Sequence, residues 1–392
     1  MRVLLVHNRY QRFGGEDAVF ESERDLLRGA GHDVEQFVRS NDEIRVLGRL
    51  RAAVETPWSW STYRDAGALI EAFKPDVVHC HNTFPLITPS IYFAAQSRGV
   101  PVVQTLHNFR LTCLNAMLFR EGSVCTQCVG TLPWRGVVHG CYQDARPQST
   151  VAAFTLALHR LLRTYRTRVD AYIALTESAR SVFVAAGLPS ERIRVKPNFV
   201  APTHPSTPRG VRTGVLYVGR LSREKGIDIL ADVAKRLVDV RFRVFGDGPE
   251  SWRLDGLANV ERSGHRPREE VLTLMRASAC LFVPSQWYEG FPMVVAEAFA
   301  SGLPVIGSRL GALADIVEDG HTGVLCEPGD TDGFAGAICG LLRDPERLAS
   351  MSASAATHSR QALSASANLA ILESIYRDCR KRTVAGDPAK HD

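Results

Sequence analysis

"VKPNFVAPTHPSTPRG", residues 195–210, holds four prolines, two threonines and a serine in sixteen positions and follows neither a helical nor a strand period. The same pattern lies on both sides of it. Before it come the short apolar, β-branched runs "VLLVH" (3–7), "DVVHC" (76–80), "PVVQTL" (101–106) and "DAYIAL" (170–175), separated by helix-compatible stretches. After it come "GVLYVG" (214–219), "RFRVFG" (241–246), "CLFVP" (280–284) and "PVIGS" (304–308). Such alternation predicts a parallel sheet with helices on both faces. Its restart after the proline-rich stretch predicts two doubly wound α/β domains, 1–200 and 211–362, with 201–210 as linker. Ligands of such sheets bind beyond the carboxyl ends of the strands, so the expected site is a cleft faced by both domains.

The composition agrees with this division. A chain of 392 residues is long for one core and suits two. Hydrophobic residues make up 45% and charged residues 23%, ordinary for a globular protein. No uninterrupted apolar run approaches the length of a membrane span. "MRVLLVHNRY" reads as a first strand rather than a signal peptide, and a cytoplasmic location is the default expectation. The first 200 residues carry 24 Lys/Arg against 18 Asp/Glu and the remainder 23 against 24, so the basic excess sits in the first half. That half is the side suited to an anionic ligand or surface, and no nucleic-acid partner is expected.

Three stretches carry chemistry. In "SQWYEGFPMVVAEAFASGLPVIGS" (285–308), Glu289 precedes a helix with Pro292 near its first turn, and Glu297 lies inside it. Backbone N–H groups around Phe291, Met293 and Val294 would form an anion site at that helix start. "YVGRLSREKGIDIL" (217–230) follows a strand and sets Arg220 and Lys225 five residues apart around a turn, a pair able to straddle a diphosphate. "GGEDAVFESE" (14–23) opens a helix after the first strand with Gly14 and Gly15, but lacks the G-x-G-x-x-G of a dinucleotide site.

Together "GRLSREKGIDIL", "FGDGPE" and "EGFPMVVAEAFASGLPVIGS" resemble the C-terminal signatures of retaining family-4 glycosyltransferases. "GGEDAVFESE", "DVVHCHNTFPLITPS" and "TLHNFRLTC" are similar to a bacterial polysaccharide-biosynthesis branch of that family. The resemblance implies the GT-B fold, two Rossmann-like domains facing each other across a cleft, and transfer of a sugar from a nucleotide-sugar donor to a glycan or lipid-linked acceptor. It also implies roles. Arg220 and Lys225 would bind the donor diphosphate and offset charge on the leaving group. Glu289 would contact the transferred sugar, and Glu297 the ribose. Gly246, Asp247 and Gly248 would line the nucleotide pocket, Gly14 and Gly15 would reach the diphosphate from the N-domain, and His107 would lie near the transferred sugar. No cofactor or divalent metal is expected for transfer, and no Asp-x-Asp signature accompanies these motifs. Residues 363–382, apolar at 369, 371, 372, 375 and 376, read as a helix that in the family returns to the N-domain.

Two features stand apart from the donor motifs. Cys113, Cys125, Cys128 and Cys141 include one C-x-x-C and suit a structural zinc, with buried reduced thiols as the alternative. "FTLALHRLLRTYRTR" (154–168) reads as a basic amphipathic helix, suited either to an anionic membrane surface or to a core-facing role with solvated arginines. The competing functional classes are a GT-B nucleotide-sugar hydrolase or epimerase and a non-catalytic sugar-nucleotide-binding subunit. A nicotinamide oxidoreductase is disfavoured by the missing glycine fingerprint.

Overall fold

A computed structural model of the chain describes residues 1–200 and 211–384. The expected linker, 201–210, lies outside the described residues. The chain divides into two compact units. One comprises Met1–Met117, Thr126–Lys196 and the segment from Leu369 onward, and the other Leu118–Cys125 and Pro197–Asn368.

The first unit is built on strands β1 (Arg2–Arg9), β2 (Asp33–Ser40), β3 (Val77–Asn82) and β4 (Val102–Leu106). A small antiparallel pair, β5 (Phe119–Arg120) and β6 (Ser123–Val124), falls by its contacts in the second unit. Strands β7 (Ala171–Ala174) and β8 (Ile193–Val195) complete the first sheet, which is parallel throughout in the order β2-β1-β3-β4-β7-β8. Strands β3, β4 and β7 are buried along their whole length, in keeping with their apolar, β-branched character, although β3 also buries His79, His81 and Asn82. The helix Gly15–Gly29 and the terminal helix Ala365–Val384 cover one region of this sheet. Leu372, Ile375, Tyr376 and Cys379 pack into a core with Val3, Leu5, Phe20 and Val77. The apolar spacing of the C-terminal tail thus serves the first sheet.

The second unit repeats the design with β9 (Val215–Val218), β10 (Phe242–Phe245), β11 (Val260–Arg262), β12 (Cys280–Val283), β13 (Val305–Ser308) and β14 (Gly323–Cys326). Its order is β11-β10-β9-β12-β13-β14, all parallel. Winding outward from β9 in both directions leaves a crevice beyond the carboxyl ends of β9 and β12, where the strand order reverses. Those two strand ends lead into the Arg220–Lys225 turn and the Glu289 loop.

The segment 154–168 is not one helix. The helix Arg146–Leu161 stops at Leu162, Arg163 takes a left-handed backbone (φ +55°), and a short turn Thr164–Thr167 follows. Nor does its apolar face turn to the core. Phe154, Leu161 and Leu162 are exposed, while Ala152, Ala153, Leu156 and His159 are buried. The sequence pattern was amphipathic in two directions: Ala152, Ala153, Leu156, His159 and Tyr165 take the interior, and the side of Phe154, Leu161 and Leu162 faces outward.

Candidate functional site

In the second unit the motifs expected to bind a donor converge on the switch point. Lys225 closes a one-turn helix, Arg223–Lys225, directly after the Ser222 turn. Gly226 follows with φ +71°, and a Cβ there would lie 1.9 Å from the Pro284 carbonyl oxygen at the end of β12. Only glycine lets the two loops approach this closely. Across that contact Lys225 Nζ donates to both oxygens of Glu289, at 2.7 and 2.9 Å, and the Ser285 hydroxyl donates to Glu289 Oε1 at 2.7 Å. Glu289 is buried, and Lys225 Nζ also sits 5.3 Å from the Trp287 ring centroid. Arg220 is exposed, and among the described residues its guanidinium makes no hydrogen bond or ion pair. A buried carboxylate neutralised by lysine, with an uncommitted arginine in the same β9 loop, suits a ligand bearing both hydroxyls and anionic charge.

The helix Met293–Ala300 begins where expected, with Pro292 at its N-cap and extended there, so Met293 and Val294 sit in the first turn, whose N–H groups lack intrahelical acceptors. Phe291 is buried just before it. Glu297 is half-buried and accepts from Arg268 Nε at 2.6 Å. Gly246 (φ +126°) and Gly248 also answer to a packing constraint. A Cβ at either would lie 2.0 Å from the Gly219 oxygen or 2.2 Å from the Leu221 oxygen, so the backbone they approach is the β9 loop itself. Asp247 is exposed between them, and its carbonyl accepts from Leu221 N at 3.0 Å. These glycines bring the β10 loop against the loop that carries Arg220. An Asp-x-Asp pair does occur elsewhere, at Asp330 and Asp332. Asp330 caps the following helix through Gly333 N, and Asp332 pairs with Arg236.

In the first unit, Gly14 and Gly15 precede and open the helix Gly15–Gly29. The Gly14 N–H is spent within the protein, donating to Asp17 Oδ2 at 2.9 Å, while Asp17 Oδ1 lies 2.9 Å from His7 Nε2. Gly15 is exposed, and the space where a side chain would stand is open. Of the expected pair of amides, only that of Gly15 is left for a ligand. Glu16 accepts from the Tyr10 hydroxyl at 3.0 Å and from Asn108 Nδ2 at 2.6 Å, and burial raises its pKa above the ordinary glutamate value. His107 follows β4 and is buried, its Nε2 2.9 Å from His81 Nδ1. Burial, reinforced by His81, holds its pKa well below the usual histidine range, so it is neutral at pH 7.

The same unit contains a cavity of about 590 Å³ lined by Tyr10, Asn41, Arg49, Phe84, Arg110 and Tyr142 among others. The Arg110 guanidinium sits 4.9 Å from the ring centroids of both Phe84 and Tyr142. Such a mixture of aromatic faces and polar side chains can take up a sugar or another amphiphilic group. Nothing in the spacing of these residues announced it, because the lining comes from six separate segments.

Among the described residues, one set of His, Cys, Asp or Glu ligand atoms lies mutually within 4.8 Å: Glu23, His79 and His81. It contains none of Cys113, Cys125, Cys128 and Cys141, so the zinc expectation rests on spacing alone. Cys113 is buried with its thiol donating to Asn115 Oδ1 at 2.9 Å, and the other three are partly buried. Sequence reasoning missed the Glu23–His79–His81 set, together with Ser285 and Arg268. "HCH" in a β-branched run and a glutamate at helical spacing from "GG" were the available signals.

Two parallel six-stranded, doubly wound domains are the architecture of the GT-B glycosyltransferases. The chain belongs to the family-4 glycosyltransferases. Residues 14–198 match the "Glycosyl transferase 4-like domain" model and residues 212–344 the "Glycosyl transferases group 1" model. The D-inositol 3-phosphate glycosyltransferase 1 of Catenulispora acidiphila is 31% identical over 75% of this chain and 70% of its own. The glycogen synthase of Mycobacterium tuberculosis (strain CDC 1551 / Oshkosh) is 26% identical over 88% and 87%. In fold, the chain is similar to Anabaena HepE, solved in complex with UDP, with TM-score 0.65 and 20% identity over 96% of this chain and 100% of that one.

Proposed function

We propose that this chain moves a sugar, with retention and without a divalent metal, from a UDP- or GDP-sugar to a glycan or lipid-linked saccharide in bacterial cell-surface polysaccharide assembly. One observation carries the reading. Arg220 and Lys225 after β9 and Glu289 after β12 occupy the two loops that leave the switch point of a doubly wound sheet, which is where such sheets bind nucleotides. Lys225 and Arg220 would offset charge on the departing diphosphate, Glu289 would hold hydroxyls of the transferred sugar, and Glu297 those of the ribose. The helix start at Met293–Val294 would complete the phosphate site. Gly15 and His107 would contribute from the first domain. The UDP complex of HepE supports a nucleotide-sugar donor.

No helix among the described residues is long and apolar enough to cross a membrane. Peripheral contact with an anionic membrane is supported instead by exposed apolar residues. Phe154, Leu161 and Leu162 crown the helix Arg146–Leu161, and Val46, Leu50 and Val54 stand on the touching segment 43–55 beside Arg45, Arg49 and Arg51. Apolar side chains interleaved with arginine fit the interface of an anionic bilayer.

Thermal shift of the purified protein against a panel of nucleotide sugars, followed by product analysis with and without acceptor, tests the proposal. A donor that raises Tm and is consumed only when acceptor is present supports transfer. Release of free sugar or an epimer from the donor alone would assign a hydrolase or epimerase, and binding without turnover a non-catalytic subunit.

A further inference from the structure

Behind His107 lies a chain of polar groups that is wholly buried and that the donor chemistry does not use. Glu23, on the helix Gly15–Gly29, is completely buried. Its Oε2 lies 2.8 Å from Lys196 Nζ, and Lys196 is itself buried. Its Oε1 lies 3.2 Å from both His79 Nδ1 and His81 Nε2. His79 is further held by Tyr376 OH at 2.7 Å and Thr105 Oγ1 at 2.8 Å, and His81 Nδ1 lies 2.9 Å from His107 Nε2. The set could be taken for a cation site, but the ammonium of Lys196 already supplies the positive charge there, and a dication would sit against it.

The order of protons along this chain follows from the one fixed charge. Burial alone would raise the Glu23 carboxyl, but the Lys196 ammonium above all outweighs it and holds the group well below its usual range, so it is an anion. An anionic oxygen 3.2 Å from His81 Nε2 must face an N–H rather than a lone pair. The contact is too bent for a good hydrogen bond, so the preference is electrostatic. Burial lowers the His81 pKa to about 4, so the ring carries a single proton at pH 7, and with that proton on Nε2 its Nδ1 is a bare acceptor. His107 must then donate from Nε2. Its Nδ1 is left as a lone pair with no hydrogen bond among the described residues.

We propose that Glu23 and His81 are positioning residues that lock His107 in its Nε2–H form, so that Nδ1 accepts a hydrogen bond from a substrate hydroxyl and cannot donate one. The proposal rests on the reading of His107 as the histidine beside the transferred sugar. His107 would therefore select a hydroxyl donor at that point and reject a group that can only accept. Lys196 keeps Glu23 ionised, and His79, tied to Tyr376 and Thr105, holds the carboxylate in place.

Long-range ¹⁵N–¹H correlation spectra of the full chain labelled on histidine test this without any ligand, with His107 assigned by the signal lost in His107→Gln. A protonated Nε2 and bare Nδ1 at pH 7 support the proposal, and an Nδ1–H tautomer or an imidazolium overturns it. In Glu23→Gln the amide oxygen is claimed by Lys196, which turns the NH₂ toward His81, so the His107 tautomer should invert. Turnover should fall about tenfold to a hundredfold with donor KM within about twofold. A folded Glu23→Gln protein with an inverted tautomer and unchanged turnover overturns the positioning role. If that variant does not fold, the wild-type spectrum alone decides. The spectrum is independent of whether the wild type transfers sugar, so failure of the functional reading shows as absent transfer with the Nε2–H tautomer intact.

Discussion

Replacing Lys225 by alanine separates what the lysine does for the fold from what it does for a donor. In the wild type Nζ lies 2.7 and 2.9 Å from the two Glu289 oxygens. The lysine side chain is 28% exposed and that of Glu289 only 6%. A hydrogen bond to a charged group nets about 1.5–3 kcal/mol. Solvent at the lysine end screens this, and Ser285 still donates to Glu289, so the pair together is worth roughly 2 kcal/mol of stability. The effect on turnover should be larger. Loss of one preorganised charge at a developing anion costs about 10²–10³ in kcat. Urea unfolding and donor turnover at saturating nucleotide sugar measure the two quantities on the same variant. Lys225→Arg, which keeps the charge, should recover most of the stability and part of the rate. Turnover of folded Lys225→Ala within about threefold of wild type would remove the diphosphate role. Failure of the variant to fold would mean that the pair is chiefly structural.

Further outcomes follow from the same geometry. Gly226→Ala would force a Cβ to 1.9 Å from the Pro284 oxygen at positive φ, and should lower stability by about 1–3 kcal/mol and weaken nucleotide binding, read by urea unfolding and calorimetry. Glu297→Ala should weaken nucleotide binding more than it alters sugar preference in a donor panel, and the reverse result would exchange or dismiss the two glutamate roles. Acid should destabilise the first unit. His81 titrates at about 4 when folded and near its ordinary 6.5 when unfolded, so the unfolded chain takes up the proton first as pH falls through that window. The loss is about 2 kcal/mol by pH 5, and an unchanged urea midpoint between pH 7.5 and 5 would refute it. Leu50→Asp combined with Phe154→Asp should reduce co-sedimentation with anionic phospholipid vesicles while leaving turnover of a soluble acceptor near wild type.

The strands named from sequence were mostly those buried on both faces, because a doubly covered strand is rich in apolar, β-branched residues. Edge strands were not legible. β2, "DVEQFVRS", and the three-residue β8 and β11 carry too much polar character or too little length to stand out. The glycines at 246 and 248, read as lining a pocket, are also places of close backbone approach. A sequence shows that a Cβ is missing without showing what fills its place, and here it is the neighbouring loop. The segment 154–168 breaks at Arg163, and the choice between its two readings was open for a related reason. Periodicity shows that a face is apolar, and only packing chooses which face is covered.

Two doubly wound domains and the loops proposed to bind a donor were legible in the sequence, because burial pattern, turn residues and local spacing are properties of short segments. Tertiary structure alone decided that Lys225 grips Glu289, that Glu297 is held by Arg268, and that Asp17 consumes the Gly14 amide. It also decided that Glu23, His79, His81, His107 and Lys196 form one connected buried network. Those five residues come from a helix, one strand and the segments that follow two others, spread over more than 170 positions. Only the winding of the sheet brings them within a few ångströms, and a buried charge acquires its meaning from the partners that compensate it.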